Sequence, residues 1–154
     1  MKILFICTHN RCRSILSEAI TNQLTDSNVV ARSAGSQPVG EVHPLSLKYL
    51  KLTGFDTSGL LSKSWDKLED FAPDVVVTVC DSAAKESCPV WFGEAINVHW
   101  GLEDPSKMND ASQAEQAFLH TIDIISTRAK ALNYIAQQPK TEWHHALKKL
   151  GANE

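Results

Sequence analysis

The middle of the chain carries a nearly continuous apolar run, Asp74-Val75-Val76-Val77-Thr78-Val79. Consecutive apolar, β-branched residues suit a strand that is buried on both faces, as in a parallel sheet covered by helices. Shorter runs of similar character over residues 2–6, 29–33 and 94–99 predict three further strands. The run at 74–79 is the most apolar of the four and is expected near the centre of the sheet.

Helical patterns alternate with these strands. One helix is predicted from Ser14, a second from Pro44 to near Gly54, a short third over 65–71, and a long fourth over about 110–136. Alternation of this kind implies parallel strands with right-handed crossovers. The predicted fold is a three-layer α/β/α domain with a four-stranded parallel sheet. We assign residues 1–138 to one catalytic domain and residues 139–154 to a polar C-terminal tail.

Composition narrows the functional classes. A net charge of −3 over 154 residues gives no sign of a nucleic-acid partner, and the longest N-terminal apolar stretch, residues 3–7, is too short for a membrane span or signal peptide. The four cysteines, Cys7, Cys12, Cys80 and Cys88, lack zinc-pair spacing. We therefore expect a cytoplasmic protein with catalytic or redox cysteines and no metal or other cofactor.

The segment CTHNRCRS places Cys7 six residues before Arg13, between the first strand and the first helix. A loop of this length can turn successive backbone N–H groups inward to bind an oxyanion, and the helix N-terminus adds positive potential. Arg13 supplies a charged fork suited to a tetrahedral oxyanion. The same donors favour the thiolate form of Cys7, which is the nucleophilic form.

Three informative segments follow three different strands. Cys7 ends the first strand, Cys80 the third, and Asp104 lies in the loop after the fourth. In open α/β sheets, ligands bind outside the carboxyl ends of the strands. The topology therefore predicts that these residues meet at one edge of the sheet.

The pattern C-x5-R-S directly after an N-terminal strand resembles the low-molecular-weight tyrosine phosphatase superfamily, which includes a branch of arsenate reductases. The resemblance extends to the Asp104-Pro105 loop. It implies that Cys7 is the nucleophile, that Asn10 holds the loop in shape and that Ser14 hydrogen-bonds the thiolate. The implied oxyanion-binding loop comprises Thr8, His9, Asn10, Arg11, Cys12, Arg13 and Ser14.

The same resemblance assigns Asp104 as the acid that protonates the leaving oxygen, and Pro105 restricts the backbone of Asp104 to extended geometry. Glu103 is the competing carboxylate. Asn10, Glu18 and Ser33 resemble a monovalent cation site found in some reductases of the family, although they could also simply brace the loop.

Two features favour the reductase branch over the phosphatases. Ser106, Lys107 and Met108 follow the Asp-Pro pair, where tyrosine phosphatases typically carry aromatic residues. Cys80 and Cys88 could receive the oxidising equivalents of arsenate and end as a disulfide. The sequence predicts reduction of arsenate to arsenite by a relay from Cys7 through Cys80 and Cys88, and leaves open which of the latter two attacks the arsenic adduct.

Two alternatives remain. The first is a low-molecular-weight protein tyrosine phosphatase that hydrolyses phosphate monoesters, and the second is an oxyanion-binding or redox-sensing domain without catalysis. For the reductase, the expected substrate is arsenate, with phosphate or sulfate as mimics. The expected reductant is thioredoxin or glutaredoxin with glutathione, and the resemblance suggests a monomer.

Overall fold

The computed structural model describes residues 1–84 and 93–152. Its centre is a parallel sheet of four strands, in the order β2-β1-β3-β4. The strands are β1 (Lys2–Ile6), β2 (Val30–Ala34), β3 (Val75–Thr78) and β4 (Ile96–His99). All four strands and their parallel pairing confirm the sequence prediction. β1 and β3 are central neighbours, so the residues that follow these two strands emerge side by side.

Helices connect and cover the strands. They are α1 (Arg13–Leu24), α2 (Pro44–Leu52), α3 (Asp81–Ala84), α4 (Ala111–Ala136) and α5 (Trp143–Ala152), with short 3-10 helices at Trp65–Phe71, Pro105–Lys107 and Lys140–Glu142. The predicted first residues of α2 and α4 agree with the capping residues that the structure shows. Pro44 occupies the first turn of α2, and Asp110 accepts a hydrogen bond from Gln113 N at the start of α4.

The helices pack in layers around the sheet. α1 and α4 pack on each other and on α2, and their buried apolar faces meet at residues such as Leu16, Ile20, Phe118 and Ile122. α5 packs against β4 and α4, and the 3-10 helix at Trp65–Phe71 contacts β2. This arrangement confirms the predicted α/β fold with its four-stranded parallel sheet.

The C-terminal segment differs from the expected polar tail. Residues Trp143–Ala152 form helix α5, in which Trp143 and Leu147 are buried in the main core. The indole N–H of Trp100 donates a hydrogen bond of 2.9 Å to the Leu147 carbonyl. Trp143 and Leu147 are four residues apart, so they lie on one face of the helix. The residues between and around them are mostly polar, which makes the composition of the segment polar although this face is buried.

Within residues 1–84 and 93–152, no helix is long and apolar enough to cross a membrane.

Candidate active site

The loop between β1 and α1 turns its carbonyl groups toward the surrounding protein. Thr8 O accepts from Gln37 N at 2.9 Å, His9 O accepts from Ser62 Oγ at 3.1 Å, and Arg11 O accepts from His43 N at 2.9 Å. Because C=O and N–H point in opposite directions across a planar trans peptide, this orientation turns the following N–H groups toward the inside of the loop. The backbone therefore forms a concave set of donors suited to an oxyanion.

Gly35 allows the start of this loop to lie directly against the segment after β2. A Cβ atom at position 35 would lie 2.4 Å from Thr8 O and 2.6 Å from Cys7 O. These contacts are with backbone atoms, so a side chain could be accommodated only by moving the loop. Gly35 thus fixes the distance between β2 and the residues around Cys7.

Asn10 holds the loop from within. It is fully buried and adopts a left-handed backbone conformation with φ of 47°. Its amide Nδ2 donates to Ser14 Oγ at 2.8 Å and to Ser33 Oγ at 3.1 Å, and its Oδ1 accepts from Lys63 N at 2.9 Å. The Ser14 oxygen is an acceptor here, which leaves its own proton to donate elsewhere, as the predicted bond to the Cys7 thiolate requires.

The residues suggested as a cation site lie in a hydrogen-bonded row. Asn10 donates to Ser33, and Ser33 Oγ donates to Glu18 Oε1 at 2.7 Å. Lys63 Nζ lies 3.5 Å from the same Glu18 oxygen, and both side chains are largely buried. Because an ammonium group of the chain supplies the positive charge beside Glu18, the geometry favours a bracing role. A monovalent cation at these residues stays a prediction.

Arg13, the first residue of α1, connects the loop to the segment after β4. Its Nη1 donates to Leu102 O at 2.9 Å, and its Nη2 lies 3.7 Å from Asp104 Oδ2. Asp104 Oδ1 accepts from both the backbone N–H and the hydroxyl of Ser106, at 3.0 and 2.6 Å. Burial alone would raise the pKa of Asp104, but the Ser106 donors and the charge of Arg13 and Lys107 hold it below its usual value.

The thiol groups of Cys7 and Cys80 lie close together and interact. This interaction and burial raise the pKa of Cys7, against the expectation that the loop donors favour its thiolate, whereas the interaction with Cys7 lowers the pKa of Cys80 to about 5. Backbone N–H groups of Thr8 and Ala83 and the hydroxyl of Thr8, 3.8 Å from Cys80 Sγ, also favour the Cys80 thiolate. The interaction therefore favours a thiol at Cys7 and a thiolate at Cys80, so the proton of Cys7 has an acceptor beside it.

Cys12 lies in the same loop but in a different environment. Burial raises its pKa to about 12, against the opposing effect of a hydrogen bond with Ser46. Cys12 is therefore a thiol at neutral pH, and only the thiolate is a good nucleophile.

His43 is a residue of the site that sequence reasoning missed. Its Nδ1 caps α2 by accepting from Leu45 N at 3.1 Å, and its ring borders the cleft above Cys7. Burial and the charge of Arg11 lower the pKa of His43. A neutral ring that accepts at Nδ1 carries its proton on Nε2. Pro44 marks the start of a helix in the sequence, but the proximity of His43 to the loop depends on the tertiary fold.

The loop and the segment after β4 enclose a cleft of about 300 Å³. Polar and charged side chains form most of its wall: Cys7, His9, Arg11, Cys12, Arg13, His43, Asp104, Ser106 and Lys107.

The structure thus brings Cys7, Arg13 and Asp104 to one cleft, with Cys80 paired to Cys7. Cys88 lies outside the described residues. Within the described part of the chain, no group of three or more histidine, cysteine or acidic residues is arranged to hold a metal ion.

Residues 2–146 match the low molecular weight phosphotyrosine protein phosphatase family. The chain belongs to this family. It is 33% identical to an arsenate reductase of Bacillus subtilis over 129 residues, which cover 83% of this chain and 91% of the relative. It is 32% identical to a glutaredoxin arsenate reductase of a Synechocystis strain over 107 residues, 68% of this chain and 78% of the relative.

A structural relative supports the same assignment. The fold superposes with a TM-score of 0.67 and 29% identity on a thioredoxin-dependent arsenate reductase of Corynebacterium glutamicum, over 88% of this chain and 61% of that one. The resemblance noted from CTHNRCRS is therefore confirmed at the level of family and fold.

Proposed function

We propose that this protein reduces arsenate to arsenite, with Cys7 as the nucleophile. The observation that carries the proposal is the proximity of the Cys7 and Cys80 thiol groups at an oxyanion loop. Hydrolysis of a phosphate ester requires one nucleophilic thiolate. A second thiol in contact with the first is what a two-electron reduction requires, because the electrons of two thiols become one disulfide.

In the first step, arsenate binds in the cleft against the inward N–H groups and Arg13. Transfer of the proton from Cys7 to Cys80 makes Cys7 the thiolate that attacks arsenic. A Cys7 S–As bond forms, and an arsenate oxygen leaves as water after taking up protons. The fixed donors stabilise the negative charge of the oxyanion throughout this step.

In the second step, Cys80 loses to the solvent the proton that it took from Cys7, and the resulting thiolate attacks the sulfur of Cys7. The S–As bond breaks and its electron pair stays on arsenic, so As(V) becomes As(III) and leaves as arsenite. A Cys7–Cys80 disulfide remains. Cys88 then attacks Cys80, which releases Cys7 as a thiolate and leaves a Cys80–Cys88 disulfide. The order in which Cys80 acts before Cys88 is supported by the existing contact between Cys80 and Cys7.

Asp104 is the proposed proton donor to the leaving oxygen. In the absence of an anion its lowered pKa keeps it ionised. A bound oxyanion would take up the charge of Arg13 and add negative charge nearby, and both effects raise the pKa of a carboxyl group. The proton needed for departure of the oxygen can then reside on Asp104. Glu103 is the alternative donor.

An external thiol reductant must reduce the Cys80–Cys88 disulfide. Thioredoxin and glutaredoxin with glutathione are both proposed, since relatives named for each type are similar to this chain. We further propose a cytoplasmic monomer. The free thiols of Cys7, Cys12 and Cys80 suit a reducing compartment.

The residues around Asp104 favour arsenate over a phosphotyrosine side chain. Ser106 and Lys107 line the cleft beside Asp104, and no aromatic wall is formed by the described residues that border it. Slow hydrolysis of a small aryl phosphate is still expected, because the same loop binds phosphate and Cys7 can attack it.

The test is single-turnover reduction of arsenate by pre-reduced protein without added reductant, followed by mapping of disulfides. We expect about one arsenite per chain, as two-electron stoichiometry requires, and a Cys80–Cys88 disulfide. Cys80→Ser should stop arsenite formation while p-nitrophenyl phosphate is still hydrolysed, and Cys7→Ser should stop both reactions. Hydrolysis without arsenite in the wild type, even with glutathione and glutaredoxin added, would refute the proposal in favour of the phosphatase.

A further inference from the structure

His99, the last residue of β4, contacts the chain on both sides of Cys80. Its Nδ1 lies 2.8 Å from the hydroxyl of Thr78, two residues before Cys80. Its Nε2 lies 3.0 Å from Oδ1 of Asp81, the residue directly after Cys80. One imidazole ring thus joins β4 to the end of β3 and to the first residue of α3.

The hydrogen-bonding groups of the three residues are complementary. A carboxylate only accepts hydrogen bonds, so the contact with Asp81 places a proton on Nε2. Nδ1 and the Thr78 hydroxyl form the second hydrogen bond, since a hydroxyl can donate or accept. Both ring nitrogens are satisfied, and the orientation of the ring is fixed by two independent partners.

We propose that His99 is a positioning residue that holds Cys80 at the sulfur of Cys7. The inference rests on the proposed function, in which Cys80 must attack Cys7 along the S–S axis. Nucleophilic displacement depends steeply on alignment, and an error of about 1 Å can cost about a hundredfold in rate. Cys80 lies two residues after Thr78, the last residue of β3, and directly before Asp81. The backbone of Val79 is already fixed by hydrogen bonds to Ile6 and Leu102, so the contacts of His99 add side-chain restraints on both sides of Cys80.

The exposure of the contact suits a restraint that must open. The side chain of His99 is 38% exposed and that of Asp81 is 86% exposed. Exposed polar contacts of this kind contribute little to net stability. Such a contact can therefore orient Cys80 for the first displacement without holding it there after the Cys7–Cys80 disulfide has formed.

Gly101 provides the space for this contact. A Cβ atom at position 101 would lie 3.1 Å from His99 Nε2 and 3.7 Å from Asp81 Oδ1. The same two atoms form the hydrogen bond, so a larger residue at position 101 would press on it directly. A glycine at position 101 therefore leaves room for the hydrogen bond between His99 and Asp81, the residue next to Cys80.

The test measures how well the two sulfurs are aligned, independently of arsenate. In a Cys88→Ser background, the protein is equilibrated with reduced and oxidised glutathione, and the Cys7–Cys80 disulfide is quantified. The equilibrium constant reports the effective concentration of one thiol at the other. We expect His99→Ala and Thr78→Val to lower it about threefold, as the loss of a weak exposed contact allows, and Thr78→Ser, which keeps the hydroxyl, to leave it near the wild-type value. An unchanged constant in His99→Ala would overturn the proposal.

The matched control is His144→Ala, on the exposed face of α5, which should leave the constant unchanged. In proteins with all native cysteines, His99→Ala should slow single-turnover arsenite release about tenfold and leave hydrolysis of p-nitrophenyl phosphate within about twofold. Equal losses in both reactions would mean a general structural role and would refute the inference. If the wild type forms no arsenite, the proposed function fails, whereas the glutathione equilibrium still decides the role of His99.

Discussion

Asn10→Ala is expected to destabilise the fold and weaken anion binding together. The amide makes three buried hydrogen bonds, to Ser14 Oγ, to Ser33 Oγ and from Lys63 N. At about 0.5–1.5 kcal/mol each, their loss costs about 1.5–4.5 kcal/mol. Alanine also tolerates the left-handed backbone at φ 47° less well than asparagine, which adds about 1 kcal/mol. The expected loss of unfolding free energy is therefore about 2.5–5.5 kcal/mol.

Urea denaturation of the reduced protein measures this loss, and competition by phosphate in the aryl phosphate assay measures anion binding. Asn109→Ala is the matched control, because Asn109 is exposed and should change the unfolding free energy by less than about 0.5 kcal/mol. We expect phosphate to bind at least about tenfold more weakly to Asn10→Ala. A loss below about 1 kcal/mol with unchanged phosphate competition would show that the loop keeps its shape without Asn10.

Three further predictions follow from particular contacts. Gly35→Ala should reduce both arsenate reduction and aryl phosphate hydrolysis, because the added Cβ would displace backbone oxygens near Cys7; normal kinetics of both would contradict the close approach. Asp104 has a lowered pKa, so its contacts stabilise the fold above the usual carboxyl pKa, and this stability is lost as the pH falls through the lowered value. Asp104→Asn should therefore flatten the acid side of a plot of unfolding free energy against pH. An unaltered slope would refute this. Leu147→Ala should cost about 2–5 kcal/mol in urea denaturation and Leu52→Ala, at an exposed position, much less; equal small effects would mean that α5 contributes little.

The strands of the sheet and the site residues that follow them could be predicted because the sequence patterns that indicate them are local. The run at 74–79 and the run before Cys7 are apolar on consecutive positions, and both form central strands. Cys7, Cys80 and Asp104 were predicted to meet because parallel strands end at one edge of the sheet. In the structure β3 lies beside β1, and this strand order brings Cys80 to Cys7. The strand order could not be predicted from any short segment of the sequence.

The residues missed by sequence reasoning act through long-range contacts. Lys63 has no motif around it, yet its ammonium pairs with Glu18 and its backbone N–H anchors Asn10. His43 and His99 belong to no recognisable motif, and their contacts around the cleft and Cys80 arise only from the tertiary fold. The C-terminal helix was missed because only two of its side chains are fully buried, so composition outweighed periodicity in the prediction.

The site combines one rigid half with one weakly restrained half. Around Cys7, the buried hydrogen bonds of Asn10 and the close approach of Gly35 fix the shape of the loop. A fixed loop is needed because its donors must already point at the oxyanion when it binds and reacts. Beyond Cys80, the contacts of His99 are exposed and individually weak. This division suits the proposed chemistry, because the loop must keep one geometry through every step whereas Cys80 must exchange Cys7 for another partner. Substitutions in the loop should therefore affect reduction and hydrolysis alike, whereas substitutions at His99 should affect reduction alone.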